Sequence, residues 1–103
     1  MEEKKKLSAI ANYLRELSPE CVIENTWNAR SSRHVFRVNA PTGETKHNIT
    51  VSSEFVSDNQ LEDIVTCLEL YNLKGYLEMF GNKEILVTDD GINPEGTRPS
   101  VLV

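Results

Sequence analysis

Apolar positions near the start of the chain recur with a helical period. Leu7, Ile10, Ala11, Leu14 and Leu17 fall at the i, i+3, i+4, i+7 spacing that gathers side chains on one face, which predicts an amphipathic helix over residues 4–17. Ser18-Pro19 ends it, because proline has no amide donor and drives the preceding residue out of the α region. From Cys21 the period changes to two. Cys21, Ile23 and Trp27 point one way while Glu24, Thr26 and Asn28 point the other, the pattern of a half-buried strand. After a polar turn at 28–32, His34, Phe36 and Val38 alternate with Arg33, Val35, Arg37 and Asn39. The turn Ala40-Pro41-Thr42-Gly43-Glu44 then leads to a third strand, with His47, Ile49 and Val51 on one face and Lys46, Asn48 and Thr50 on the other. Three alternating segments joined by short turns predict an antiparallel meander, with His47 opposite Arg37 or Val38 and His34 opposite Thr50 or Val51.

Ser57-Asp58-Asn59-Gln60 has capping-box spacing, and Val56 and Leu61 stand where a hydrophobic staple would place them, so a second helix is expected to start there. Leu61, Ile64, Val65, Leu68 and Tyr71 line one face of it, and Lys74-Gly75 reads as its end. Residues 76–80 and 84–88 flank Gly81-Asn82 and are expected to form a closing hairpin. Glycine, proline and aspartate crowd the stretch after Thr88, so residues 1–88 read as one domain and 89–103 as an irregular tail whose apolar end, Val101-Leu102-Val103, is suited to docking. The resulting fold class is α+β with two layers. Two helices pack on one face of a mainly antiparallel sheet in the order α-β-β-β-α-β-β, with Trp27, Phe36, Leu14, Ile64 and Leu68 in the core.

Composition adds limits. With 103 residues, 39% of them apolar and 26% charged, the chain suits one soluble domain. It is long enough to bury roughly two-thirds of its unfolded surface without a disulfide or metal. Cys21 and Cys67 lie too far apart in sequence for a local zinc or redox motif, and free thiols are expected. The opening residues lack the apolar stretch of an export signal, and no run is long enough to cross a membrane, so a cytoplasmic location with no membrane contact is expected. On that reading the sequon Asn48-Ile49-Thr50 is accidental.

The net charge of −5 is unevenly laid out. Residues 1–47 hold eight Lys/Arg against six Asp/Glu, and residues 48–103 hold three against ten. Arg30, Arg33, Arg37 and Lys46 are relieved by a single acid, Glu44, between positions 28 and 47. With Asn48 they form the candidate binding set, because two strands would show Arg33, Arg37, Lys46, Asn48 and Thr50 on one polar face able to meet phosphates or an acidic protein surface. A solvated sheet face has the same pattern. Val35 is the one apolar residue expected there, which leaves no aromatic platform for stacked bases.

Catalytic and cofactor signatures are missing: there is no P-loop, no dinucleotide glycine motif and no nucleophile elbow. His34 and His47, the only histidines, fall several residues apart in the expected register, too far for a shared metal, and both sit at core-facing positions. An enzyme using either imidazole would need it in a deep pocket. Asp89, Asn93 and Glu95 alternate like calcium-loop ligands, but Gly91 occupies the third position and Ser100 the twelfth. No metal or cofactor is expected.

The helix, three-strand, helix order over residues 4–73 is similar to that of double-stranded RNA-binding domains, and the full order resembles that of type III secretion chaperones. The first likeness implies duplex binding at the start of the second helix. In place of that family's lysine-rich segment this chain carries Ser57-Asp58-Asn59-Gln60, with Glu54, Glu62 and Asp63 around it. The second likeness implies protein binding, and it lacks the C-terminal helix, which the Gly/Pro stretch replaces. Both likenesses concern element order alone and assign the chain to no family. The leading expectation is therefore a non-enzymatic protein-interaction module of adaptor, regulatory or chaperone-like kind, with a protein partner or a second copy bound. Nucleic-acid binding through the basic strand face is the alternative, disfavoured by the net charge.

Overall fold

The structure is a computed structural model, and it describes residues 2–94. Helix α1 (Glu2–Leu17) is followed by strands β1 (Val22–Asn28), β2 (Arg33–Asn39) and β3 (Thr45–Ser52). Three short helices come next, α2 (Ser53–Asp58), α3 (Leu61–Leu70) and α4 (Leu73–Phe80), and then strands β4 (Glu84–Thr88) and β5 (Gly91–Pro94). The five strands form one sheet in the order β1-β2-β3-β4-β5. All neighbours are antiparallel except β3 and β4, which run parallel, and the three helices between them supply the long crossover that parallel pairing demands.

The helices gather on one face. Phe36, Val38, Ile49, Val51, Ile85 and Val87, alternate residues of β2, β3 and β4, are buried with Ile10 and Leu14 of α1, Ile64 and Leu68 of α3 and Leu73 and Leu77 of α4. The fold class is thus two-layer α+β, with a mainly antiparallel sheet covered on one side. His47 pairs with Val38 and His34 with Val51, within the expected register.

Among the described residues four helices stand where two were expected, for identifiable reasons. Ser52, not the segment 57–60, caps the second helix, its Oγ accepting the Phe55 amide at 3.1 Å. That earlier start buries Phe55 and Val56. The chain then becomes extended at Asn59 and Gln60 before α3, and Gln60 makes no side-chain cap. Nor does a helix end at Gly75. Asn72 takes the left-handed conformation at φ 62°, which asparagine tolerates, and α4 begins immediately after it. Leu73, Leu77 and Phe80 then follow a helical period, so residues 76–80 are helix rather than the first strand of a hairpin. Gly75 lies within α4, where a Cβ would collide with the Asn72 amide.

Two further positions differ from expectation. Trp27 is 51% exposed and not in the core, because β1 is an edge strand at the margin of the helical layer. Residues 91–94, expected as irregular tail, pair with β4 as β5. The apolar segment at 101–103 lies outside the described residues.

Buried Lys6, 7% exposed, explains how so short a helix as α2 ends inside the protein. Its Nζ donates to the Val56 carbonyl at 2.8 Å, and Asn59 Nδ2 donates to the Phe55 carbonyl at 2.8 Å. Carbonyls of the last helical turn, which have no partner within the helix, are satisfied by a cation and an amide.

Candidate functional site

Three of the five candidate residues share the sheet face away from the helices. Alternation and register place Arg33, Arg37 and Asn48 there with Thr50, whereas Lys46 is exposed at the register irregularity where Asn39 pairs with Thr45 and has no strand partner of its own. Arg30 is exposed in the β1–β2 turn, outside the strands, where its amide donates to Asn28 Oδ1 at 3.0 Å.

Neighbouring strands change the electrostatics of this set. Glu24 of β1 stands opposite Arg37, Arg37 opposite Asn48, and Asn48 opposite Glu84 of β4, so one row across the sheet runs acid, base, amide, acid. Thr50 Oγ1 donates to Glu84 Oε2 at 2.7 Å, which holds that carboxylate over the face. Asn48 Oδ1 is buried without a hydrogen bond. Val22, Val35 and Leu86 alternate onto the same side, so Val35 is not its only apolar residue. The result is a mixed polar surface and not a basic stripe.

Arg33 lies at the sheet's end, lining a cavity of about 360 Å3 with Ser52, Glu54, Thr88, Asp89 and Asp90. It is itself partnered and surrounded by carboxylates, so it is no free phosphate ligand. In this acidic corner Asp89 has its proton affinity raised, first by its hydrogen bond with Asp58, then by desolvation and by the charges of Asp58, Asp90 and Glu54. A carboxyl whose folded pKa is raised favours the folded state at low pH and loses that contribution as pH rises. Asp89→Asn, which keeps a hydrogen-bonding group beside Asp58 and removes one charge, is expected to raise the melting temperature at neutral pH. The gain should shrink with added salt and fade as acidification protonates the native carboxyl. A melting series across salt and pH checks this, and a variant less stable at neutral pH contradicts it.

The histidines are not brought together. His34 is 4% exposed, its ring 4.7 Å from that of Trp27. Its Nε2 lies 3.3 Å from Glu3 Oε2, out of alignment for a hydrogen bond. His47, half-buried, has Nδ1 at 3.0 Å from the Gly81 carbonyl, an acceptor, so Nδ1 carries the proton. Cys21 and Cys67 are free and half-buried, and Cys67 Sγ is 3.5 Å from Asn59 Oδ1. Among the described residues no group of three His, Cys, Asp or Glu side chains could hold a metal ion. Glu95 and Ser100 of the calcium-like spacing lie outside them. No helix among the described residues is long and apolar enough to cross a membrane.

The structure also exposes the β1 edge, which none of the candidate residues marks. Six of its seven residues are exposed, Val22 at 61% and Trp27 at 51%, and among the described residues no strand neighbours its outer backbone groups. The signal for it was present in the meander order, since the first strand of a simple meander lies at an edge. No protein-family model, no curated protein and no solved structure matches the chain.

Proposed function

We propose that the chain is a non-catalytic protein-interaction module of the cytoplasm that receives a partner strand along β1. The exposure of six of the seven β1 residues carries this reading, because an uncovered strand presents a row of amide and carbonyl groups for pairing with another chain. Free Cys21 and Cys67 suit a reducing compartment. A benzophenone amino acid at Thr26 of β1, compared with one at Glu62 of α3, tests it in cells. Protein adducts are expected from position 26 and not from 62, with slower amide exchange over Val22–Asn28 in the purified complex. No adduct, or the same adducts from both positions, overturns the reading.

Nucleic acid on the open face is the second reading, favoured by the exposed Arg37 on that face and the exposed Lys46 near its end. Glu24 and Glu84, in the same row as Arg37, weigh against it. If phosphates are bound, affinity for duplex or single-stranded probes must fall with salt, and the slope must shrink by about one unit in Arg37→Ala. An affinity that ignores salt, or an unchanged slope, removes this reading.

A further inference from the structure

Resting on the edge-strand reading, we infer that the strand received at β1 is β1 of a second copy of this chain. The two strands run antiparallel about a two-fold axis at Asn25 and join two five-stranded sheets into one. The two edges of the sheet are built differently. Strand β5, described over Gly91–Pro94, contains Pro94, which has no amide to donate. Strand β1 has seven, keeps an unshifted register with β2 from Val22 to Asn28, and contains no lysine, proline or bulge. Those are the devices that normally keep an edge from pairing, so β1 is an edge left open to a partner.

The sequence of β1 is complementary to itself in one register only. Two identical antiparallel strands that keep their faces aligned must be centred on a single residue, which then opposes itself. Centring on Asn25 pairs all seven residues: Val22 with Asn28, Ile23 with Trp27 and Glu24 with Thr26 of the other copy. Centring on Glu24 would set two carboxylates against each other, and centring on Thr26 would leave Val22 and Ile23 without strand partners. In the Asn25 register the exposed indole of Trp27 covers Ile23 on the helix-bearing face, extending both cores across the join. The indole is already held against the buried His34 ring, so little side-chain freedom is lost. Asn25 Nδ2 donates to the Val35 carbonyl at 3.3 Å, drawing that side chain back over β2. Net repulsion between copies is blunted here because each Glu24 already faces its own Arg37.

The test uses the full chain carrying Cys21→Ser and Cys67→Ser. Opposed Cα atoms in an antiparallel pair lie about 4.5–5.5 Å apart, within disulfide range, so Asn25→Cys is expected to form a covalent dimer on mild oxidation. Glu24→Cys is expected not to, since its counterpart stands two residues further along at roughly 8 Å. The unsubstituted chain should sediment at twice its 11.7 kDa. Trp27→Glu, at an exposed position, should melt cooperatively and raise the dissociation constant tenfold or more. A cross-link through Glu24→Cys but not Asn25→Cys overturns the register, and where Asn25→Cys does not fold, an unchanged mass for Trp27→Glu overturns the interface. A monomer that still gives foreign-protein adducts at Thr26 overturns the self-pairing and leaves the edge-strand reading standing.

Discussion

Phe36→Ala is expected to destabilise the fold by about 3–5 kcal/mol, the range for removing a buried phenyl ring and leaving a cavity. Phe36 is fully buried on β2, opposite Asn25 of β1 and Ile49 of β3, and it meets the helical layer from the middle of the meander. Strands flank it on both sides, so the site has little freedom to collapse into the void. A domain of this size has a total stability of roughly 5–15 kcal/mol, so the loss takes a large share of it. Urea denaturation should show a lower midpoint with an unchanged slope. Val35→Ala, one residue away on the open face and only half-buried, is the internal control and should lose far less. Equal losses at the two positions would contradict the assignment of helix-covered and open faces.

That assignment was legible in the sequence because it rests on local periodicity. The alternation of His34, Phe36 and Val38 against Arg33, Val35 and Arg37, with a short turn at 40–44, sets both the faces and the pairing of β2 with β3. Helix α1 was legible in the same way. The second half was harder because its signals conflict. Tyr76, Leu77, Met79 and Phe80 fit a strand as well as a helix over five residues, and only burial of Leu73 and Leu77 against the sheet decides for α4. The capping-box pattern at 57–60 lost to Ser52, since a helix starting there buries Phe55 and Val56, a larger gain than one cap.

The candidate site follows the same division. Arg33, Arg37 and Asn48 were placed on one face by pattern alone, and the irregularity beside Lys46, where Asn39 pairs with Thr45, was not legible in the alternation. Glu24, which faces Arg37, follows from counting back through the β1–β2 turn. Glu84, which faces Asn48, depends on a parallel pairing across a three-helix crossover, and no local pattern encodes that. The polar face therefore looked basic from the sequence and is mixed in the structure. Trp27 carries the related lesson that alternation assigns a face but not the depth of cover over it.

Buried His34 should make stability depend on pH in a window set by one imidazole. Burial lowers its pKa from the ordinary 6.5, and the Glu3 carboxylate opposes that shift without cancelling it. The unfolded chain therefore binds the proton at a higher pH than the folded chain. Stability must fall as pH drops through 6.5 and level off, for this group, once the pH is below the folded pKa. The slope for one whole proton is about 1.4 kcal/mol per pH unit, an upper limit here. Titration of most carboxylates begins below roughly pH 5, so the interval between there and 6.5 isolates the imidazole. His34→Gln should flatten the curve in that interval, and His47, present in both chains, drops out of the comparison. Glu3→Gln should steepen it, because removing the carboxylate leaves the buried ring harder still to protonate. The Asp89 corner acts with the opposite sign, favouring the folded state as pH falls, so the two contributions are separable. Denaturant midpoints across this interval that are parallel for the native chain and His34→Gln would mean that the folded protein holds His34 no less readily protonated than the unfolded one, and the packing of its ring under Trp27 and Glu3 would lose its thermodynamic support.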